Sequence, residues 1–295
     1  MQIRTDLALE AAALARDGRD RAGRLEGVRQ ESETEEEMTF TRIVIESREG
    51  EEALGRPRGK YITAELPPLT DDEEDLEKKA RRLGRELRSL LPSEGPVLVV
   101  GLGNEGITPD ALGPQTARQV LATRHIEGEF ARSAGLDDLR PVAVFAPGVL
   151  GQTGVESGDM VRGICGVVRP GAVIAVDALA ARSVARLGCT VQLCDTGIAP
   201  GSGVGNNRME LNRAALGVPV IGVGVPTVVD AQTIAWEMTG REEDAQALSP
   251  RGEAMMVTPR EIDLLIGRAS RLVAMAVNAA LQPAYSPLSL TAAAG

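Results

Sequence analysis

Histidine is almost missing from this sequence, because His125 is the only one in 295 residues. A Ser-His-Asp triad or a Cys-His pair would have to use His125, and zinc sites built from several histidines are excluded. We expect His125 itself to lie at the surface or at a helix end. Lysine is nearly as scarce, since Lys60, Lys78 and Lys79 all precede residue 97, which disfavours a Ser-Lys dyad. If this chain is a hydrolase, carboxylates are left to carry the chemistry.

Cysteine, aromatic residues and long apolar runs are also sparse. The three cysteines are odd in number and show no CxxC spacing, which predicts reduced thiols in a cytoplasmic protein. Aromatic residues make up only 2% of the chain, so the core must consist of Val, Leu, Ala and Ile. No run reaches the roughly 18 apolar residues of a membrane span, and no apolar signal region follows the first residues. We expect no membrane partner.

Positive charge is in deficit, with 32 Lys and Arg against 42 Asp and Glu and a net charge of −10. Nucleic acid is therefore not an expected partner. Part of the negative charge forms the acidic run 31–37, which we interpret as a solvated loop.

From residue 97 onward, short apolar runs rich in β-branched residues alternate with helical patterns. This alternation predicts an α/β fold with a mostly parallel, doubly wound sheet flanked by helices. The expected strands are 97–101, 141–146, 171–177, 190–195 (at an edge) and 218–225. Helices are expected at 70–91, 157–168, 229–238 and 258–281, with another directly after 177 and a frayed tail after 281. Residues 38–46 and 61–66 are expected to pair as a small N-terminal antiparallel extension.

The rest of the chain is organised around residues 97–114. A buried strand is followed there by a glycine-broken turn and by Thr108-Pro109-Asp110, a plausible helix start. Asp110 is thus delivered to the carboxyl end of a strand, where open α/β sheets hold ligands. Asp177, which ends the third expected strand, is predicted to face the same crevice. Two close carboxylates do not both ionise easily, so one can stay protonated while the other acts as a base on water.

Other interpretations of these residues stay open. Each aspartate can simply complement the helix that follows it. Gly101-x-Gly103-x-x-Gly106 matches the dinucleotide fingerprint, which would suit a nucleotide-binding regulatory module, but no strand ending in an acid arrives about 20 residues later. A metal-dependent peptidase using the same carboxylates is the third alternative. We predict no cofactor and no metal site.

Further candidates for substrate binding flank the aspartates. Backbone N–H groups near Gly103 and Asn104 are candidates for binding an oxyanion. Asp195 begins Asp195-Thr196-Gly197, which resembles the catalytic triplet of pepsin-like proteases, although those folds are all-β. Gly203 belongs to a glycine-rich loop that either binds a peptide backbone or is a simple crossover.

Together these motifs resemble those of the germination protease (spore protease) family. The matching stretches are 101–104, 108–114, 123–125, 147–149, 177–183, 195–206 and 226–231. The resemblance implies an atypical aspartic endopeptidase that degrades small acid-soluble spore proteins in the germinating spore, made as a zymogen and assembled as a homotetramer. The two family aspartates fall on Asp110 and Asp177. The implied fold is like that of hydrogenase maturation proteases, whose metal-binding His has no counterpart here.

The resemblance also implies a site of self-cleavage. Substrates of the family are cut after Glu or Asp, before a hydrophobic residue followed by Ala. Thr5-Asp6-Leu7-Ala8 fits this pattern, so we expect cleavage between Asp6 and Leu7. Residues 1–6 would then be a prosequence and 7–295 a single peptidase domain, with the β extension at 38–66. The alternative is an ordinary helix start at Thr5 or Asp6.

Overall fold

A computed structural model describes residues 5–17, 25–71, 75–126, 128–133, 136, 138–201, 209–248 and 255–294. The strands are β1 (Val28–Glu35), β2 (Met38–Ile45), β3 (Gly59–Glu65), β4 (Val97–Gly101), β5 (Val142–Phe145), β6 (Ala172–Ala181), β7 (Thr190–Cys194), β8 (Val220–Asp230) and β9 (Met256–Val257). The first helices are α1 (Ala8–Asp17), α2 (Arg48–Leu54), α3 (Leu76–Leu90), α4 (Leu112–Gln119), α5 (Gly128–Ser133) and α6 (Leu150–Thr153). They are followed by α7 (Ser157–Val168), α8 (Arg213–Leu216), α9 (Ala231–Thr239), α10 (Glu242–Ala247), α11 (Ile262–Leu281) and α12 (Pro287–Ala294).

The strands form one sheet in the order β1-β2-β3-β7-β8-β6-β4-β5, with β9 pairing with the end of β8. β5, β4, β6 and β8 are parallel to one another. β7, β3, β2 and β1 continue the sheet as antiparallel neighbours. The predicted α/β class, the parallel core and the antiparallel N-terminal extension are confirmed, and the complete sheet is mixed.

The acidic run 31–37 is not a loop, because most of it belongs to β1, which pairs with β2. Its side chains are almost all exposed, as suits a charged strand at a sheet edge. Arg42 of β2 contacts Glu33 at 3.0 Å, and Arg82 of α3 contacts Glu35. The arginine partners are distant from the acidic run along the chain, so the run alone did not indicate a strand.

The strand that carries Asp177 does not end there. β6 continues to Ala181 because β8 continues beside it, as far as the pairing of Ala181 with Val229. The alanine-rich continuation suits a helix by propensity, and tertiary pairing overrides that preference. The helix expected after 177 is therefore absent from the described residues. The edge position expected for 190–195 was also wrong, since β7 lies between β3 and β8.

Helix 157–168 was predicted at its observed bounds, whereas several helix starts were not. α3 begins at Leu76 and α11 at Ile262, later than the expected 70 and 258. Thr258 does not cap α11, because its hydroxyl donates to the carbonyl of Thr227 over 3.0 Å. The tail after 281 contains α12, which is tied to α11 by a 2.9 Å hydrogen bond from Asn278 to Thr291.

One face of the sheet packs against α3, α4 and α11 in the largest apolar cluster. α11 is long and apolar enough to cross a membrane by length and composition alone. However, 72% of the most apolar stretch of α11 is buried inside the fold, as in the core helix of a globular domain. Each Leu or Val buried there contributes roughly 1.5–3 kcal/mol.

The opposite face carries separate apolar clusters. One joins α1 to β2 and β3 through Ala8, Ile43 and Tyr61, and another joins α7 to β4 and β6 through Val161 and Val100. The residues of β6, β7 and β8 between these clusters line the candidate site.

Candidate active site

Asp177 lies inside β6, at the point where β4 stops pairing with that strand. The last pair is Gly101 with Val176, and the N–H of Leu102 donates to the carbonyl of Val176 over 2.8 Å. Asp177 is only 4% exposed, and its Oδ1 accepts the N–H of Ala178 at 3.0 Å. A nearly buried carboxylate therefore lies directly after the last residue pair between β4 and β6.

Asp110 is held at the same end of β4 by the glycine turn. It closes the 3₁₀ turn Thr108–Asp110, which is anchored because the hydroxyl of Thr227 donates to the carbonyl of Pro109 over 2.7 Å. The turn contacts both β6 and β8. Both predicted catalytic aspartates thus lie near the carboxyl end of β4, while their chemical roles stay a prediction.

Asp177 also lines a cavity of about 720 Å³ on the face of the sheet between the apolar clusters. Among the described residues, Asp110 is not part of its wall. The floor comes from β6, β7 and β8, and the opposite wall comes from the Thr5–Asp6 segment, α1, α2 and Arg56. The cavity is large enough to accept several residues of an extended peptide.

Two titratable groups that line this cavity are ill suited to proton transfer at neutral pH. Burial raises the pKa of Tyr61 to about 12, and its hydroxyl donates to the carbonyl of Pro57. Burial also raises the pKa of the Cys194 thiol, which donates to the carbonyl of Gly197 at 3.1 Å and is a poor nucleophile in that state. His125 is exposed, as expected. The carboxylates remain the best acid–base candidates.

The other predicted site residues are placed as follows. The N–H of Asn104 donates to Asp110, so it orients this carboxylate. Oδ1 of Asp195 accepts the N–H of Lys60 at 2.7 Å, which ties the start of β3 to the end of β7. Gly203 lies outside the described residues. Substrate binding by these residues, and by Gly103, stays a prediction. Among the residues that the structure describes, no three His, Cys, Asp or Glu side chains cluster in a way that could hold a metal ion.

Thr5 and Asp6, which form part of the wall of this cavity, are held against β6. The N–H of Asp6 donates to the carbonyl of Ala180, and the N–H of Ala180 donates to Oδ2 of Asp6, both at 2.8 Å. Leu7 is fully buried, and α1 begins at Ala8. The helix therefore starts two residues later than Asp6, and the expected cleavage site directly precedes it.

Gln192 was missed from the sequence. This side chain of β7 is 6% exposed. It donates from Nε2 to the carbonyl of Asp6 at 2.8 Å and accepts the N–H of Ala8 at 2.6 Å. The sequence did contain a signal, which was a single amide side chain in the middle of the strand Thr190–Cys194. Buried polar side chains need hydrogen-bond partners, so this residue was a candidate for a specific contact.

Comparison with known proteins shows the family to which the chain belongs. The family model described as germination protease matches residues 8–240. A germination protease of Caldanaerobacter subterraneus subsp. tengcongensis is 42% identical over 312 residues, covering 95% of this chain and 94% of the relative. A germination protease of Clostridium acetobutylicum is 40% identical, with 96% of each chain covered. One of Bacillus cytotoxicus is 36% identical, with 95% and 93% covered. This chain belongs to the germination protease family, and it is a peptidase.

Proposed function

We propose that this chain is an endopeptidase of the aspartic type, in which Asp110 and Asp177 act on one water molecule. The ionised carboxylate takes a proton from the water as the water oxygen attacks the scissile carbonyl carbon. The protonated carboxyl then gives its proton to the amine as the C–N bond breaks. The observation that carries this proposal is that nearly buried Asp177 lines a cavity with the Thr5–Asp6 stretch of polypeptide in its wall.

We further propose that the substrates are small acid-soluble spore proteins in the spore core, cut after Glu or Asp and before a hydrophobic residue followed by Ala. Two contacts of the Thr5–Ala8 segment support this specificity. The carboxylate of Asp6 is bound by the N–H of Ala180. The Leu7 side chain packs against Leu179, Ala181 and Val229. On the same grounds the chain is a zymogen that cuts itself between Asp6 and Leu7. A homotetrameric assembly belongs to this proposal through the family resemblance alone.

The test is cleavage of a synthetic peptide containing Glu-Ile-Ala by the purified chain, followed by mass spectrometry. We expect one cut after the glutamate by the wild type and none by Asp177→Asn or Asp110→Asn. Asp159→Asn is the control, because Asp159 is an exposed residue of α7 that pairs with Arg162. Cleavage by Asp177→Asn at the rate of the control would overturn the proposed mechanism.

A further inference from the structure

Asp177 and Gln192 lie in one row across the sheet. Asp177 pairs with Gly224 of β8, and Gly224 pairs with Gln192 of β7. Residues directly opposite each other point to the same face, and neighbouring strands are about 4.8 Å apart, so the Cα atoms of Asp177 and Gln192 are separated by roughly 10 Å. Because Gly224 carries no side chain, it forms a floor between the carboxylate at one end of the row and the amide at the other, and the Leu179 side chain packs over this floor.

The amide of Gln192 brackets the backbone of the segment above this floor. Its Nε2 donates to the carbonyl of Asp6, and its Oε1 accepts the N–H of Ala8. Together with the contacts between Asp6 and Ala180, these hydrogen bonds fix the peptide bond between Asp6 and Leu7. That carbonyl oxygen is therefore paired with a buried side-chain donor.

A donor at this oxygen has a specific chemical consequence. When water attacks the carbonyl carbon, the C=O π electrons move to the oxygen, which becomes negatively charged until the C–N bond breaks. A preorganised N–H in a nearly buried site stabilises that charge more than it stabilises the neutral carbonyl. We infer that Gln192 is the oxyanion-binding residue of this peptidase, an inference that rests on the proposed function. A substrate would present its scissile carbonyl to Nε2 as Asp6 does.

The competing role for Gln192 is to anchor the segment without assisting the reaction. The two roles separate when the rate and the seating of the segment are measured independently. Gln192→Glu keeps an acceptor for Ala8 and loses the donor, whereas Gln192→Met keeps the approximate volume and loses both groups. Gln30→Met is the matched control, since Gln30 lies on β1 and bonds Arg16.

The experiment follows self-cleavage of the full chain between Asp6 and Leu7 by intact mass. Deuterium exchange of the peptide covering residues 5–17 is measured in an Asp177→Asn background, so that cleavage does not interfere. We expect Gln192→Glu and Gln192→Met to slow cleavage by about 100-fold or more, as for removal of one oxyanion donor. Gln30→Met should cut at the wild-type rate, and Gln192→Glu should leave exchange protection unchanged.

Cleavage by both Gln192 variants within about threefold of the wild type would overturn the inference alone. A rate loss in Gln192→Glu matched by an equal loss of exchange protection would also overturn it, in favour of an anchoring role. A wild-type chain that does not cut, or an Asp177→Asn chain that does, would instead remove the proposed function, and this inference with it.

Discussion

The backbone N–H of Asn104 donates to Oδ2 of Asp110 over 2.7 Å. This hydrogen bond spans the turn that follows β4, and the turn is tight because Gly103 adopts φ +117°. A Cβ at Gly103 would lie 2.0 Å from the carbonyl oxygen of Asp110. The turn therefore fixes the position of the Asp110 carboxylate.

Gly103→Ala is expected to displace Asp110 and to reduce peptide cleavage at least tenfold. The added methyl group meets backbone rather than a flexible side chain, and the positive φ is unfavourable for alanine. The measurement is kcat/KM on the Glu-Ile-Ala peptide. Gly163→Ala in α7 is the control, because its Cβ meets open space. Equal activities of the two variants would contradict the assigned role of this turn.

Gly224→Ala tests the floor between Asp177 and Gln192. A Cβ there would lie 2.5 Å from Cγ of Leu179, so Leu179 must move within the cavity. We expect a loss of about 1–3 kcal/mol in the free energy of unfolding, as for other overpacked sites, together with slower cleavage. Urea denaturation and the peptide assay measure the two effects. An unchanged free energy of unfolding and an unchanged cleavage rate would show that Leu179 can move aside without cost.

Asp6 provides a test of acid recognition. Asp6→Asn keeps an oxygen acceptor for the N–H of Ala180, whereas Asp6→Leu leaves that buried donor without its partner. Self-cleavage followed by intact mass should therefore slow modestly in the first variant and at least tenfold more in the second. If Asp6→Leu cuts itself as fast as Asp6→Asn, the N–H of Ala180 does not select the residue before the cut.

Glu86 of α3 links the antiparallel extension to the rest of the fold. Burial raises its pKa, but hydrogen bonds from Arg42 and Arg82 outweigh burial and leave the pKa below its ordinary value. A lowered pKa in the folded state stabilises the protein above the unfolded value of about 4.3, and this contribution is lost as the pH falls through the folded value.

Glu86→Gln should accordingly lower the free energy of unfolding by about 2 kcal/mol at pH 7, because hydrogen bonds to a charged acceptor are weakened while Arg42 and Arg82 keep Glu33 and Glu35 as partners. The difference from the wild type should shrink below about pH 4 as the wild-type carboxylate is protonated. Urea titrations at both pH values measure this. Glu52→Gln is the control, because its pair with Arg48 is exposed and is worth well under about 1 kcal/mol. A difference that does not depend on pH would rule out the ion pairs as its cause.

The parts of the site that local sequence encodes were predictable. The strand at 97–101, the glycine turn and the position of Asp110 follow from β-branched residues, from glycine and from proline at a helical start. The bounds of α7 follow from its periodicity in the same way.

The parts set by distant partners were not predictable. Asp177 lies inside a strand because β8 continues beside it, a pairing that no local propensity encodes. Gln192 meets the carbonyl of Asp6 across 186 residues of sequence. The acidic strand β1 depends on arginines of β2 and α3. In each case the deciding contact is tertiary, whereas hydrophobic periodicity reports only local geometry.

The central claim is that Asp110 and Asp177 act on one water as a unit. The most direct test is kcat/KM on the Glu-Ile-Ala peptide for the wild type, Asp110→Asn, Asp177→Asn and the double variant. Residues that act together give strongly non-additive losses, so each single variant should lose about 1,000-fold or more and the double variant little beyond that. Wild-type activity in either single variant, or losses that multiply in the double variant, would contradict the account.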